Sequence, residues 1–172
     1  MEARSFFTAT LLKHGFHDAE EACWCTLCWD IDILHDGKIE RAPARFGDAF
    51  KDLVQLFEPG ALSSTSQSDD ILETSMGQDC MANVYAFLQS VERCRSEHSQ
   101  LAVLSCGLAA ILPWTAQIGD VVCIFAHANA PSVVRPLPNG RYKYVGWCFV
   151  QGAMDGERWP KDKNSLDVMY LE

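Results

Sequence analysis

The spacing of hydrophobic residues changes at Leu101, and this change constrains the fold more than any other feature of the chain. Before Leu101, apolar residues recur at intervals of three and four, which is the period of a helix. After Leu101, short runs rich in β-branched and aromatic residues alternate with Pro, Gly and Asn, a pattern typical of strands and turns. Helices followed by strands predict an α+β fold. We therefore expect N-terminal helices packed on a small C-terminal antiparallel sheet or partial barrel.

Three helices are expected in the mainly helical half, residues 1–100. They cover residues 18–34, 46–57 and 78–96. The apolar stripe of the third is expected to contain Cys80, Val84, Phe87, Leu88 and Val91. Residues 59–75 are polar and rich in serine, and a loop of this length is typical of a mobile segment or a lid over a site.

Four strands are expected in the β-rich half, residues 101–160. They cover residues 101–106, 121–126, 132–134 and 142–150. The run at 121–126 is apolar throughout, which favours burial on both faces. Asn139 and Gly140 suit the positive φ of a hairpin turn. Gly146, in the middle of the last strand, predicts a bulge or a close approach of another segment.

Length and charge limit the class of protein. A chain of 172 residues fits one domain, residues 1–172, and is long enough for a core without staples. The formal net charge of −9 and the scattered basic residues argue against nucleic acid and anionic membrane as partners. The sequence has no secretory signal and no run of ~20 apolar residues, so we expect a cytoplasmic protein with its eight cysteines reduced.

Several segments resemble one protein family. In chain order they are Trp24-Cys-Thr-Leu, Arg41-Ala-Pro-Ala-Arg-Phe-Gly-Asp-Ala-Phe50, Gly119-Asp-Val-Val-Cys-Ile-Phe, Pro131-Ser-Val-Val-Arg-Pro, Arg141-Tyr-Lys-Tyr-Val-Gly and Phe149-Val-Gln-Gly-Ala-Met-Asp-Gly-Glu157. The ordered series is similar to the C-terminal region of fungal heterokaryon-incompatibility (HET) domain proteins. The N-terminal HET domain is missing from the match. The resemblance implies a fold more than an activity.

The chain departs from the family pattern at four places. Ala126, His127 and Ala128 stand where the family usually has small residues, often glycine, after the buried strand. Trp147 replaces an acidic residue, Gln151 replaces a frequent histidine, and Ala110-Ile-Leu-Pro-Trp114 replaces Gly-Leu-Gly-Pro. The changes add apolar and aromatic volume around the sheet. Adaptation of a cavity to a ligand and neutral drift in a core both explain them.

Three residues are candidates for catalysis. His127 follows an apolar strand, where a neutral imidazole serves as a general acid or base, or simply bonds to backbone. Arg135 is placed either to bind a ligand carbonyl or carboxylate or to bridge Asp120 or Asp155 structurally. Asp155, paired with Glu157, fits acid–base chemistry or a capped turn.

Aromatic side chains of the strand half are the candidates for substrate binding. The set comprises Trp114, Tyr142, Tyr144, Trp147, Phe149 and the polar Gln151. Alternation along one strand places Trp147 and Phe149 on one face, and Tyr142 and Tyr144 on the other. One face is expected to belong to the core and the other to line a pocket or a partner surface.

No metal or cofactor is expected. Cys23, Cys25 and Cys28 have only part of a zinc-binding spacing, and the sequence lacks a second pair of ligands at a matching distance. No phosphate-binding loop, nucleophile elbow or dinucleotide fingerprint occurs.

Two functional hypotheses remain. The first is a cofactor-free enzyme of fungal secondary metabolism that binds an apolar small molecule and promotes a cyclisation, a pericyclic (Diels–Alder-like) step or an isomerisation. It would act by folding the substrate into a reactive shape and polarising a carbonyl. The alternative is a non-enzymatic recognition module related to heterokaryon-incompatibility proteins. An enclosed apolar cavity favours the first, and an exposed apolar face favours the second.

Overall fold

The computed structural model describes residues 19–34, 36–56, 78–94 and 98–172. The chain divides into two compact units, a helical unit and a strand unit. The helical unit is Leu27–Arg95, and the strand unit is Met1–Thr26 together with Ser96–Glu172. The described residues form three α-helices and three small antiparallel sheets, which confirms the α+β class. Loop 59–75, predicted as a lid, lies outside the described residues.

The helices occupy the N-terminal part of the described chain. They are α1 (Ala19–Leu27), α2 (Arg45–Leu56) and α3 (Gln78–Cys94). Acidic residues in the first turn of each, such as Glu20 in α1 and Asp79 in α3, complement the helix dipole. Within the described residues, no helix is long and apolar enough to cross a membrane.

Two helices form the core of the helical unit. The ring of Phe46 on α2 meets the ring of Phe87 on α3 edge to face at a centroid distance of 5.5 Å, and Phe50 meets Phe87 at 6.2 Å. Aromatic pairs of this geometry contribute about 0.5–1.5 kcal/mol beyond their buried area. Val84 is also buried, whereas Leu88 is exposed. The prediction that Leu88 belongs to the buried stripe of α3 is therefore wrong.

The first helix is shorter than predicted. It ends at Leu27, and the next residues include Trp29 and Asp30 with left-handed φ values of 56° and 55°. The chain then forms a hairpin of β1 (Ile31–Ile33) and β2 (Ile39–Arg41). Ile31 fits helical spacing with Leu27 and Leu34 and fits strand spacing with Ile33, so periodicity alone does not separate the two structures.

The strand unit contains two three-stranded sheets, which we call the β4 sheet and the β6 sheet after their central strands. The β4 sheet has the order β3–β4–β8, with β3 at Ser99–Val103, β4 at Ala109–Pro113 and β8 at Phe149–Val150. The β6 sheet has the order β5–β6–β7, with β5 at Val121–Cys123, β6 at Ser132–Pro136 and β7 at Tyr142–Trp147. Every strand pair within them is antiparallel. The described strands do not close into a barrel.

Two predicted strands differ from the structure. Residues 121–126 form only the short strand β5, and Val121 is exposed instead of buried. Residues 142–150 form two strands, β7 and β8, that belong to different sheets. The chain leaves one sheet for the other at Cys148, whose N–H donates to the Pro131 carbonyl at 2.9 Å. Strand β4 was not predicted, because Ala109 and Ala110 have low β propensity.

Strand β7 contains a bulge. It pairs Tyr144 with Val134 and Gly146 with Val133, so that Val145 is an extra residue. A Cβ atom added to Gly146 would lie 2.7 Å from Cγ of Pro113 on β4. The sequence-based expectation of a bulge or a close approach at Gly146 is confirmed on both counts.

The bulge also changes which side chains share a face. Beyond it, Trp147 pairs with Ser132, whereas Tyr144 pairs with Val134. Ser132 and Val134 are two residues apart on β6 and point to the same side, and cross-strand partners share a face. Trp147 and Tyr144 therefore lie on one face of the β6 sheet, and the prediction that they lie on opposite faces is wrong.

The core of the strand unit draws on both sheets. Ala110 of β4, Val133 of β6 and Val150 of β8 are almost completely buried in one apolar cluster with Cys148. Half-buried leucines and valines pack around this cluster. The core thus lies where the two sheets approach each other.

The contact of Gly146 with Pro113 predicts how a methyl group added at position 146 changes the stability of the fold. We expect Gly146→Ala to lower the free energy of unfolding by roughly 1–3 kcal/mol, because the added Cβ overlaps the proline ring. Pro113→Ala in the same background removes the overlapping Cγ and should recover part of the loss. Urea unfolding of the parent, of both single variants and of the double variant measures the coupling between the two positions. A Gly146→Ala variant as stable as the parent contradicts the close contact.

Candidate functional site

The strand unit contains two adjoining hollows beside β5. The larger hollow has a volume of about 300 Å³ and is walled mainly by apolar side chains: Leu104, Leu108, Val122, Ile124, Trp159 and Leu166. The smaller hollow has a volume of about 200 Å³, and its lining includes Phe125, His127, Met154 and Trp159. The larger volume is at the lower end of the ~300–1,000 Å³ range of ligand pockets.

Trp159 is the largest side chain shared by the two hollows. Ile124, Pro131 and Ala153 are also common to both, so the hollows adjoin along this set. The Trp159 N–H donates to the Gly156 carbonyl at 3.0 Å, and Gly156 has a φ of 83° that favours glycine. A tight turn therefore places the indole beside β5.

Sequence reasoning did not identify Trp159 as a site residue. A signal was present, because a tryptophan followed by proline stands in the otherwise polar and charged segment 155–163. A large aromatic side chain in such a segment needs an apolar surface to pack on.

His127 lines the smaller hollow, and its backbone is strained. Its φ is 67°, in the left-handed region that non-glycine residues seldom occupy. The Ala128 N–H donates to the Phe125 carbonyl at 3.1 Å, which closes the turn around His127. The residue as a whole is exposed. Strain of this kind is found preferentially at functional sites.

Arg135 lies in β6 and forms an ion pair with Asp120. Its Nε donates to Asp120 Oδ1 at 2.8 Å, and its Nη2 donates to Oδ2 at 2.9 Å and to the Thr115 carbonyl at 2.9 Å. The side chain of Asp120 is only 6% exposed. The guanidinium lowers the pKa of Asp120, and the carboxylate raises the pKa of Arg135. Of the two roles considered for Arg135, the structure contains the structural bridge.

Asp155 is exposed and belongs to a turn next to the smaller hollow. Its backbone N–H donates to Glu157 Oε2 at 2.9 Å, which is the capped turn considered as one alternative. Met154 and Gly156 on either side of it line the smaller hollow. The carboxylate of Asp155 itself is not among the lining groups of either hollow.

The predicted aromatic set is dispersed. The side chains of Trp114 and Trp147 are 62% and 52% exposed, and Tyr144 is also exposed. Tyr142 is half-buried and bridges Leu171 in the C-terminal segment. None of these four lines either of the two hollows.

Phe149 and Gln151 stand on either side of Val150 and line neither hollow. Phe149 is 2% exposed and belongs to the core. The Gln151 N–H donates to the Ala109 carbonyl at 2.9 Å, which extends the pairing of β8 with β4. Its side-chain Oε1 is buried without a hydrogen-bond partner among the described residues.

The cysteines differ in access. All eight are free, and Cys106 is the exposed one. Cys106 and the half-buried Cys123 both line the larger hollow. Burial raises the pKa of the Cys123 thiol and, to about 12, that of Cys148. Cys23, Cys25 and Cys28 are buried, and the described part of the chain contains no group of three or more side chains suited to a metal ion.

Comparison with protein families gives one match. A family model described as the Het-6 beta-barrel domain matches residues 68–167, which is more than half of the chain. The match confirms the resemblance to the C-terminal region of HET proteins that the sequence motifs predicted. Comparison with curated proteins gives no match, and comparison with solved structures gives none either.

The ion pair of Asp120 predicts a pH dependence of stability. Because the folded-state pKa of Asp120 is lowered, its contribution is fully present above the ordinary carboxyl pKa of about 3.9 and is lost as the pH falls through the folded value. We expect Asp120→Asn to lower the melting temperature at pH 7, and we expect its difference from the parent to shrink as the pH falls below about 3.9. Thermal unfolding from pH 7 to pH 2 tests this, and a difference that persists unchanged at acid pH contradicts it.

The left-handed backbone of His127 predicts a stabilising substitution. His127→Gly should raise the free energy of unfolding by up to about 1 kcal/mol, because glycine adopts this φ without the steric cost of a Cβ. His127→Ala keeps the Cβ and should bring no gain. Equal stability of the glycine and alanine variants in urea unfolding would show that the strain is absent.

Proposed function

We propose that this chain, which belongs to the Het-6 beta-barrel domain family, binds an apolar small molecule in the two adjoining hollows that Trp159 lines. The observation that supports this most directly is the larger hollow of about 300 Å³, lined by leucine, valine, isoleucine and tryptophan side chains. Ligand sites are concave and mostly apolar, with a few polar groups that orient the ligand.

We further propose that the bound molecule is converted without a cofactor, in fungal secondary metabolism. Reactions that need only a folded substrate and one polarised carbonyl are cyclisations, pericyclic steps and isomerisations. His127 is the polar group best placed for this role, because it lines the smaller hollow and its backbone is held in a strained turn. Arg135 is less suited, since Asp120 and the Thr115 carbonyl already occupy its Nε and Nη2 donors.

Protection of Cys106 tests binding. Cys106 lines the larger hollow and is exposed, so a molecule seated there should slow its alkylation by iodoacetamide. We expect 1-octanol, an uncharged apolar probe, to protect Cys106 severalfold, as measured by mass spectrometry of its peptide. Cys80, in the helical unit, should react at an unchanged rate.

Two tryptophan variants make this test specific. Trp159→Ala should abolish the protection of Cys106, because it removes the largest side chain that lines both hollows. Trp114→Ala, an equal change at a residue that lines neither hollow, should preserve it. Protection that is absent in the parent, or that survives Trp159→Ala, overturns the assignment of the hollow as a ligand site.

Conversion is tested by searching for an isomer of a substrate, that is, a product with the same mass and a different structure. We expect the parent protein, incubated with an apolar extract of its host, to convert at least one compound into an isomer of different retention time. His127→Asn tolerates the left-handed backbone but cannot act as an acid, and should slow the conversion by roughly 10²-fold or more. His98→Asn is the matched control and should have no effect. If no such isomer is found, the proposed enzymatic activity is overturned and the proposed binding of an apolar molecule stands.

A second candidate function is supported by helix α3. Met81, Tyr85 and Leu88 are exposed and lie at intervals of four and three residues, so they share one face. Exposed apolar faces of this kind are typical of contacts with a protein partner. The recognition module therefore remains the alternative. Loss of a cross-linked partner in Tyr85→Asp, with retention in Trp159→Ala, would favour it over the small-molecule site.

A further inference from the structure

Among the side chains that the structure describes, one charged group lines the larger hollow. It is Arg158, which precedes Trp159, and the other described lining side chains are apolar or are the thiols of Cys106 and Cys123. A single cation at the edge of an apolar hollow is an arrangement that orients a ligand with one polar end.

The partners of Arg158 distinguish it from three other arginines. Arg41, Arg45 and Arg135 each contact a carboxylate, at 2.8, 3.1 and 2.8 Å respectively. The Nε of Arg158 donates to the Gly152 carbonyl at 3.4 Å, and within residues 98–172 no carboxylate lies at ion-pair distance from it. This one long hydrogen bond leaves most of the five N–H donors of the guanidinium available.

The net charge of the whole molecule makes the Arg158 guanidinium beside the larger hollow more informative. The formal net charge is −9, so the chain as a whole repels anions. A guanidinium that lacks a carboxylate partner beside the hollow is therefore a local exception to the overall potential. Guanidinium groups bind carboxylates in a bidentate geometry that a hydroxyl group cannot reproduce.

We propose that the larger hollow takes an apolar chain that ends in a carboxylate, with the carboxylate bound by Arg158 and the chain packed between Leu104, Leu108 and Trp159. The proposal rests on the proposed function and specifies its ligand class. The hollow of about 300 Å³ has space for about ten water-sized groups of ~30 Å³ each. A saturated carboxylate of about eight carbons, with ten non-hydrogen atoms, fits that space.

Calorimetric titration with two probes tests the carboxylate. Octanoate and 1-octanol have the same chain length and differ in the polar end. We expect the parent protein to bind octanoate about tenfold or more tightly than 1-octanol, because a charge-assisted hydrogen bond adds to the same apolar burial. Added sodium chloride should weaken the binding of octanoate and not that of 1-octanol.

Two variants with the same change of charge locate the effect. Arg158→Gln should weaken octanoate about tenfold and leave 1-octanol unchanged. Arg141→Gln is the matched control, because Arg141 is exposed and does not line the hollow, and it should change neither affinity. Arg158→Lys keeps the charge and loses the bidentate geometry, so its octanoate affinity should lie between those of the parent and the glutamine variant.

The outcomes separate the two proposals. Equal affinities for both probes, or an unchanged affinity for octanoate in Arg158→Gln, overturn the role of Arg158 while the apolar site stands. If Arg141→Gln loses as much octanoate affinity as Arg158→Gln, the effect is due to the overall charge, and the role of Arg158 is also overturned. If neither octanoate nor 1-octanol binds, the carboxylate site and the proposed function are both overturned.

Discussion

The contact between Gly146 and the ring of Pro113 determines how the strand unit is assembled. With no Cβ at position 146, β7 lies directly against the end of β4, and a methyl group there would be 2.7 Å from the proline Cγ. The two sheets approach each other at this point, and their shared core of Ala110, Val133 and Val150 lies between them. The bulge at Val145 is adjacent to the contact, because the chain bends where it passes Pro113.

The Arg135–Asp120 pair has a complementary role. It joins β6 to the segment that enters β5, and the same guanidinium holds the Thr115 carbonyl, so the connection from β4 to β5 is fixed at two points. Truncating one partner of such a pair leaves the other charge without compensation, and the cost exceeds the net contribution of the intact pair. The pair therefore secures β5, beside which both hollows lie.

The polar groups that line the hollows define the candidate site, once the residues with a structural role are set aside. Asp120 and Arg135 neutralise each other, Asp155 belongs to a capped turn, and the exposed Trp114 and Trp147 line neither hollow. The polar side chains that line the hollows are those of His127, Asn129 and Arg158, together with the thiols of Cys106 and Cys123. Under the proposed function, the hollows hold and orient an apolar molecule, and His127 contributes a hydrogen bond or a proton.

The sequence by itself determined the α+β class, the approximate bounds of α2 and α3, the special position of Gly146 and the family. These follow from hydrophobic periodicity, from a glycine within a strand and from the order of motifs, all of which can be read along the chain. Where the site lies was decided by the tertiary structure. His127 was predicted from its place after an apolar strand and lines the smaller hollow, whereas Trp159 was not predicted, because its position beside both hollows depends on contacts between distant segments. The grouping of Trp147 and Phe149 failed for the same reason, since one bulge and one change of sheet at Cys148 redirect every side chain that follows, and both arise from contacts between segments distant in the sequence.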